Sequence, residues 1–303
     1  MRVSIAVPAF NEGDRLAALL ERLRIDGPAA VAEILVCDSL STDSTAAAAR
    51  EQARHDERIR ILTAERPGKA AAWNCLIQAA RSPVVVFIDA DVIPEPGCLE
   101  LLLREVERTR QIVYACRRRA SDARLGLRVL ADPVIEMTLA GGCYAVRREP
   151  LLKRLHDRGF REMPDVFAED MWLQSLLERD EFQVLSECAF RFKIYSFASY
   201  LKLQARKRLV AYELDERYPE LGRSLRRNFP EALSPQRQAE AAVRSESTLG
   251  TRLRWLAAGV CKATINRLFA HRIAESYADF KHGYREHGGG YVLRRLASTG
   301  ART

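Results

Sequence analysis

The sequence predicts an α/β fold, with a largely parallel β-sheet flanked by helices and a basic, helical C-terminal extension. Three observations lead to this prediction. Short apolar, β-rich runs alternate with helical stretches through residues 1–90, the order typical of parallel strands joined by crossover helices. Hydrophobic residues make up 48% of the 303 residues, which is enough for a large core. After Tyr200 the pattern becomes long, helical and rich in arginine.

The strands of the N-terminal part are predicted from four apolar runs. They span Val3–Pro8, Glu33–Asp38, Ile59–Ala64 and Pro83–Asp89. Helices are predicted between these strands. They lie at Arg15–Leu23, at the alanines 46–49 that follow the candidate caps Asp43 and Ser44, and at Lys69–Ala80. Since the carboxyl ends of parallel strands meet at one edge of a sheet, functional residues are expected just after each strand.

The middle of the chain continues with mixed elements. We predict a helix at Gly97–Arg108, a strand at Gln111–Cys116, a strand at Thr138–Val146, a helix at Glu149–Asp157 and another helix from about Glu169. Residues 117–132 show little pattern. The predicted organisation is therefore one α/β domain with two halves, 1–95 and 96–200, and a helical extension over 201–303.

Charge is distributed unevenly along the chain. The net charge is +8, and residues 201–303 alone carry 20 basic and 10 acidic side chains. Such a region is typical of a solvated helical surface, or of a surface that binds an anionic membrane, a phosphorylated acceptor or nucleic acid. Within it, residues 249–272 combine Trp255 with clustered arginines. This pattern is typical either of a helix that lies at a membrane interface or of a helix that packs on the domain. Because nothing except charge favours nucleic acid, we expect no such partner.

The seven cysteines occur singly, without a C-x-x-C pair. This spacing favours buried thiols in a reducing cytosol over a disulfide framework or a structural zinc site. No apolar run is long enough for a signal peptide or a membrane span, so a cytoplasmic location is expected. The sequence also has no G-x-S-x-G, P-loop or G-x-G-x-x-G motif, which argues against the common hydrolases, nucleotide triphosphatases and dinucleotide-dependent oxidoreductases.

Two aspartates stand at the end of the most hydrophobic predicted strand: Asp89 closes the strand and Asp91 opens the loop after it. Alternate positions on an opening turn can offer two carboxylates to a hard cation such as Mg²⁺ or Mn²⁺. A helix cap before Pro94 is the structural alternative. Other strand ends add polar groups at the same predicted edge: Asp38 after the second strand and Lys69 after the third. A lysine at a helix N-terminus suits an anion, because the helix dipole and the ammonium act together.

These strand ends together resemble family-2 glycosyltransferases, which have the GT-A fold, a Rossmann-like mixed sheet flanked by helices. The family pattern is P-x-[FY]-N-E, then D-x-S-x-D-x-[ST], then G-K-x-x-A-x-N, then D-x-D. Here residues 8–12 read P-A-F-N-E, 38–45 read D-S-L-S-T-D-S-T, 68–74 read G-K-A-A-A-W-N and 89–91 read D-A-D. The resemblance continues at Gly141-Gly142 and at Glu169-Asp170, and is degenerate at 204–208, which read Q-A-R-K-R where Q-x-x-R-W is usual.

The resemblance implies roles for particular residues. The second acid, Asp170, would be the catalytic base; taken without the other motifs, Glu169-Asp170 would indicate an N-terminal helix cap. Asp91 and Asp89 would hold Mn²⁺ or Mg²⁺. The nucleotide sugar would be bound by residues of the first half and one arginine further on: Pro8, Phe10, Glu12, Asp38, Lys69, Asp89 and Arg206. Asp38 at its strand end can accept the imide N–H of uracil. Asn74 suits helix packing as well as ligand binding.

The implied function is an inverting, metal-dependent transfer of a hexose from a nucleotide sugar, in particular a UDP-sugar, to an acceptor hydroxyl. The acceptor is a glycan, a lipid or a small molecule, and residues 249–272 add peripheral membrane contact as an option. The alternative is a catalytically inactive GT-A module that binds nucleotide sugars, suggested by the irregular segment 204–208. A sugar-1-phosphate nucleotidylyltransferase is disfavoured, since its glycine-rich N-terminal loop is missing.

Overall fold

The computed structural model describes residues 1–121, 138–139, 141–193, 197–230, 232, 260 and 263–283. Its framework is one eight-stranded mixed sheet, with the strands in the order β3-β2-β1-β4-β7-β6-β8-β5. The strands are β1 Val3–Ala9, β2 Val31–Asp38, β3 Ile59–Thr63, β4 Val84–Ile88, β5 Ile93–Pro94, β6 Val113–Ser121, β7 Cys143–Arg147 and β8 Phe182–Lys193.

Helices flank this sheet. The helices are α1 Gly13–Asp26, α2 Thr45–Ala53, α3 Lys69–Ala79, α4 Cys98–Arg108, α5 Arg148–Asp157, α6 Glu169–Ser175, α7 Phe197–Glu216 and α8 Pro219–Asn228. A short 3₁₀ turn at Arg179–Glu181 precedes β8, and residues 263–283 are helical apart from a turn at 269.

The N-terminal half is parallel, as predicted. Strand β1 pairs in parallel with β2 on one side, where Ile5 is opposite Ile34, and with β4 on the other, where Ile5 is opposite Val86. These strands are buried on both faces, which explains why they appear in the sequence as nearly continuous apolar runs. Their carboxyl ends therefore share one edge of the sheet, where the site residues follow.

The second half changes strand direction. Strand β7 pairs antiparallel with both β4 and β6, while β6 and β8 are parallel. The strand predicted to start at Thr138 starts at Cys143 instead, because Thr138 and Leu139 lie outside the ladder and Gly141-Gly142 form a turn. The strand predicted to end at Cys116 continues to Ser121, since its pairing with β8 resumes after a register shift between Cys116 and Arg117.

Apolar residues form one cluster on each face of the sheet. The larger cluster contains Trp73, whose ring stacks on Phe87, which in turn stacks on Tyr144. The indole N–H of Trp73 donates to the Tyr144 hydroxyl at 3.0 Å, so the buried polar atoms of the stack are satisfied. This stack joins α3, β4 and β7, and it supports the loops at their ends.

The described part of the C-terminal extension is helical, as predicted. Helix α7 contributes Leu201, Ala205 and Leu209 to the larger core cluster, and Ile273 of the last helical segment joins the same cluster. Within the described residues no helix combines the length and the apolarity needed to cross a membrane. Of the predicted interfacial stretch 249–272, residues 249–259 and 261–262, including Trp255, lie outside the described residues.

Candidate active site

The loops after β1 and β2 are held together by side chains. Asn11, with φ 54°, accepts the backbone N–H of Thr42 at 2.8 Å, and its own N–H donates to Ser41 Oγ at 3.0 Å. The left-handed conformation is one that asparagine adopts more readily than most residues. The N–H of Glu12 donates to Thr45 Oγ1 at 2.8 Å. The two loops therefore form a single rigid wall at the carboxyl edge of the sheet.

Asp38 closes β2 within this wall and is 9% exposed. Its Oδ1 accepts the N–H of Ser41 at 3.1 Å, which fixes the carboxylate beside the loop. Among the described residues, none donates a hydrogen bond to Oδ2. The half-buried Pro8 and Phe10 stand at the end of the adjacent strand, β1. The structure thus brings Asp38, Pro8 and Phe10 to the same edge, as the sequence predicted.

Acidic side chains crowd the middle of this edge. Burial, and then the charge of Asp91, raise the pKa of Glu12, so these two carboxylates lie close enough to repel each other. Glu12 also accepts a hydrogen bond from Arg15 at 2.9 Å. Asp91 is exposed in the loop after β4 and is not a helix cap, because α4 starts only after Gly97. Asp89 precedes it, with its N–H donating to the carbonyl of Gly142 at 2.9 Å.

Lys69 is the first residue of α3, and it reaches across the edge to two acids. Its Nζ lies 2.8 Å from Asp89 Oδ1 and 2.5 Å from Glu169 Oε1. Burial, which outweighs the attraction of Lys69, raises the pKa of Asp89 to about 7, and the charges of Asp91 and Glu169 add to the rise. Despite its own burial, Lys69 has a raised pKa because three carboxylates surround it: Asp89, Glu169 and Asp170.

Asp170 is the second residue of α6 and is half-buried. Its Oδ2 accepts the N–H of Gly141 at 3.2 Å, and its Oδ1 accepts the N–H of Met171 at 2.8 Å. Burial, and then the neighbouring charge of Glu169, raise the pKa of Asp170. A side chain at Gly141 would meet both acids, because a Cβ there would lie 3.0 Å from Glu169 Oε1. Glycine therefore leaves room for this close approach, and a larger residue would need the two acids to move by a few tenths of an ångström.

Glu213 on α7 positions the segment before these acids, and sequence reasoning missed it. Its buried carboxylate accepts the backbone N–H of Phe167 at 2.9 Å and lies within hydrogen-bonding distance of the N–H of Ala168. Because Ala168 is the N-cap residue of α6, this contact fixes the start of the helix that carries Glu169 and Asp170. No local motif indicates Glu213; the only signal is an acid among apolar residues of a helix.

The structure also places two further candidates, Arg206 and Asn74. Arg206 on α7 places its guanidinium 5.4 Å from the centre of the Phe167 ring, so it is next to the loop that leads to Glu169. Asn74 packs: its side-chain amide donates to the carbonyl of Met163 at 2.7 Å, and its oxygen accepts the N–H of Met163 at 3.0 Å. Of the two readings left open for Asn74, the structure supports helix packing.

The donor set at this edge fits a hard divalent cation. Asp89 and Asp91 offer carboxylate oxygens, which Mg²⁺ and Mn²⁺ prefer, and the charge of Asp91 raises the pKa of both Asp89 and Glu12, a repulsion that a cation relieves. Among the described residues, the oxygens of three acids are not gathered within 4.8 Å at this edge, so the fit is one of ligand chemistry. The side chain of Asp89 is 25% exposed, and Asp91 is exposed, so both carboxylates are open to an ion from solvent. Lys69 already supplies one positive charge to Asp89.

Comparison with known proteins identifies the family of the chain. The model of Glycosyl transferase family 2 matches residues 4–200, and the chain belongs to this family. An uncharacterized glycosyltransferase of Mycobacterium tuberculosis is 34% identical over 116 residues, which cover 38% of this chain and 49% of the relative. The chain therefore spans about half the length of this curated relative.

Solved structures share the architecture. A mannosyltransferase from Pyrobaculum calidifontis, in complex with GDP-Man and Mn²⁺, has a TM-score of 0.61 and 22% identity, covering 91% of this chain and 85% of that one. The S. aureus protein TarS, in complex with UDP-GlcNAc, has a TM-score of 0.52 and 19% identity, covering 94% and 92%. The fold is GT-A, a mixed sheet flanked by helices, and the sequence-based prediction of family and fold is confirmed.

Proposed function

We propose that this protein transfers a hexose from a nucleotide sugar to an acceptor hydroxyl. The observation that carries the proposal is the contact of Lys69 with both Asp89 and Glu169, which brings the D-x-D loop and the acids of α6 to one point. In this proposal, residues 1–95 bind the donor and residues 96–200 bind the acceptor. The ligands of the GT-A neighbours, GDP-Man and UDP-GlcNAc, support a nucleotide-sugar donor.

The diphosphate of the donor is proposed to bind beside Lys69, Asp89 and Asp91. Lys69 offers an ammonium at a helix N-terminus, where the helix dipole also favours an anion. Arg206 adds positive charge from the side of α7. Asp89 and Asp91 would hold Mn²⁺ or Mg²⁺, and such an ion neutralises charge on the leaving diphosphate. The Mn²⁺ in the mannosyltransferase structure supports this assignment.

Asp170 is proposed as the catalytic base. A carboxylate with a raised pKa takes a proton more readily than an ordinary aspartate does, and Asp170 is open enough to meet an acceptor. The acceptor oxygen would form a bond to the anomeric carbon while its proton passes to Asp170. The bond from that carbon to the phosphate oxygen breaks, and the nucleoside diphosphate leaves with the electron pair. A single displacement inverts the anomeric configuration.

A uridine nucleotide is proposed as the donor base. Asp38 supports this choice, because the described residues leave its Oδ2 without a donor and the imide N–H of uracil can supply one. Pro8 and Phe10 would line the base, and Glu12 would contact the ribose from the same wall. Since the neighbours include both a GDP-sugar and a UDP-sugar complex, the base is decided by experiment.

The direct experiment incubates the protein with a panel of UDP- and GDP-sugars, with and without Mn²⁺, and measures free nucleoside diphosphate. Many transferases hydrolyse their donor slowly when water takes the place of the acceptor, so release is expected with one donor and only with the metal. A thermal-shift panel identifies the donor that binds, since a ligand specific for the folded state raises apparent stability. Binding without release would instead identify an inactive nucleotide-sugar-binding module.

A cytoplasmic location with peripheral membrane contact through residues 249–272 is proposed from the sequence. Trp255 and the clustered basic residues of that stretch favour an anionic lipid surface. In the described part, Leu268 is 73% exposed on the last helical segment, beside the exposed Arg267. Cosedimentation with anionic vesicles at low salt tests the contact, and a protein that stays in the supernatant contradicts it.

A further inference from the structure

Four cysteines that are far apart in the sequence meet in the core, on the face of the sheet opposite Trp73. Cys98 begins α4, Cys116 lies in β6, Cys143 begins β7 and Cys188 lies in β8. Each is at most 2% exposed. The Sγ atoms of Cys98, Cys116 and Cys143 all lie within 4.8 Å of one another, and those of Cys98 and Cys116 are 3.7 Å apart. The spacing of cysteines along the chain gave no hint of this cluster.

Cys188 is buried in the same apolar cluster, beside this group. The side chain of Cys98 contacts that of Cys116 at 3.7 Å and interacts electrostatically with those of Cys143 and Cys188, and its sulfur also accepts the backbone N–H of Ala189. Three sulfur atoms therefore lie together with Cys188 beside them, and each of the four cysteines belongs to a different element of the fold. The N–H of Ala189 is the kind of second contact that orients a thiolate and partly neutralises its charge.

The arrangement matches the geometry of a thiolate metal site. Zinc bound by four cysteines is tetrahedral, with Zn–S bonds of about 2.3 Å that place the sulfurs roughly 3.8 Å apart. The pair Cys98 and Cys116 is already at this spacing, and the third sulfur needs only a small inward shift. An apolar core without such an ion has no evident reason to gather four thiols, although single buried cysteines are common.

We propose that Cys98, Cys116, Cys143 and Cys188 bind one Zn²⁺ in a closed, structural site. Thiolates are soft ligands and select zinc over the hard ions that carboxylates prefer. On binding, each cysteine gives up its thiol proton to solvent, so zinc uptake releases protons. With four protein ligands there is no open position for substrate or water, and the role is therefore structural rather than catalytic.

The site would fasten the second half of the sheet directly behind the active site. Cys143 follows Gly142, whose carbonyl accepts the N–H of Asp89. Cys188 precedes Ala189, whose carbonyl accepts the N–H of Glu95 in the loop after β5. The ion would thus tie α4, β6, β7 and β8 together at the base of the D-x-D loop. The proposal does not depend on the transferase assignment, because its ligands are not those of the carboxylate site.

The test measures metal content. The full chain is purified from zinc-supplemented culture, treated with EDTA to clear weakly held ions, and analysed for zinc by mass spectrometry. About one zinc ion per chain is expected, as for a closed thiolate site. Cys116→Ser should lose it, whereas Cys75→Ser, a control cysteine outside the cluster, should retain it. Asp91→Ala should also retain it, which separates this site from the carboxylates of the active site.

If Cys116→Ser does not fold, cobalt substitution of the wild-type protein provides the test. Wild-type protein prepared in cobalt should show a strong sulfur-to-cobalt charge-transfer band in the near ultraviolet and the intense visible bands of a tetrahedral site. A chain that contains no zinc and takes up no cobalt would overturn the proposal. So would zinc that persists unchanged in a folded Cys116→Ser protein, or bound cobalt that lacks the thiolate band.

Discussion

The ammonium of Lys69 lies 2.8 Å from Oδ1 of Asp89, and this ion pair connects the N-terminus of α3 to the end of β4. The same nitrogen lies 2.5 Å from Glu169, on the other half of the domain. A single side chain therefore balances acids from both halves. In the proposed donor complex, Lys69 would exchange its contacts with these carboxylates for contacts with the phosphate oxygens.

Replacing Lys69 tests this balance. Lys69→Met keeps much of the length and the apolar stem but removes the charge, so Asp89 and Glu169 lose their counter-ion and the diphosphate loses a donor. A hydrogen bond to a charged group contributes about 1.5–3 kcal/mol, so nucleoside diphosphate affinity should fall roughly 10–100-fold. Calorimetric titration measures it. Lys153→Met, at an exposed lysine paired with Asp157, is the control; equal affinities in both variants would contradict the role of Lys69.

Asp91 is expected to carry metal-dependent binding. Asp91→Ala removes an exposed carboxylate and should abolish the extra thermal stabilisation that Mn²⁺ gives in the presence of a nucleoside diphosphate. The fold should remain intact, because no described residue donates a hydrogen bond to the Asp91 side chain. Glu57→Ala, at an exposed acid between α2 and β3, is the matched control. Unchanged Mn²⁺-dependent stabilisation in a folded Asp91→Ala protein would exclude this metal site.

Asp38 is expected to distinguish nucleotide bases. Asp38→Ala removes the proposed acceptor for the uracil imide N–H, and should weaken UDP binding while leaving GDP binding and metal affinity nearly unchanged. Because Oδ1 also accepts the N–H of Ser41, Asp38→Asn serves as a second variant that keeps an acceptor for the loop. Competition binding with UDP and GDP provides the measurement. Equal losses for both nucleotides would show that Asp38 does not read the base.

Glu213 is expected to act by positioning the acids of α6. Glu213→Gln weakens the charge-assisted hydrogen bonds to the N–H groups of Phe167 and Ala168, so kcat should fall while donor affinity stays near wild type. Some loss of thermal stability should accompany it. Glu216→Gln, an exposed position on the same helix, is the control. Lower stability with an unchanged kcat would mean that Glu213 only holds the fold together.

The sequence predicted the parts of the site that follow from local pattern. Apolar strands followed by polar residues located Asp38, Asp89 and the edge of the sheet where the candidate site lies, because strand direction alone brings those ends together. Contacts that depend on long-range packing were not predictable in this way. The bridge from Lys69 to Glu169 spans 100 positions, and Glu213 reaches its loop from a helix whose apolar pattern shows only its buried face. The cysteine cluster was not predicted for the same reason, since its members are far apart in the sequence.

The pH dependence of turnover should reflect the raised pKa of Asp170. A base works in its ionised form, so activity should be lost as pH falls through the folded pKa, and this acid limb should lie above the range of an ordinary aspartate. The ionised, half-buried carboxylate also destabilises the fold above its unfolded pKa. Asp170→Asn should therefore keep or raise the melting temperature at neutral pH, and the measurement is a pair of thermal melts.

The most direct test of the proposed mechanism is kcat for donor hydrolysis by Asp170→Asn, with donor affinity measured on the same protein. A base acts in the transition state, so affinity should stay nearly unchanged while kcat falls by roughly 10²–10⁴-fold. Glu169→Gln is the comparison, since it should weaken the contact with Lys69 instead. Near-wild-type turnover by a folded Asp170→Asn protein would contradict the assignment and make Glu169 or Asp165 the next candidate.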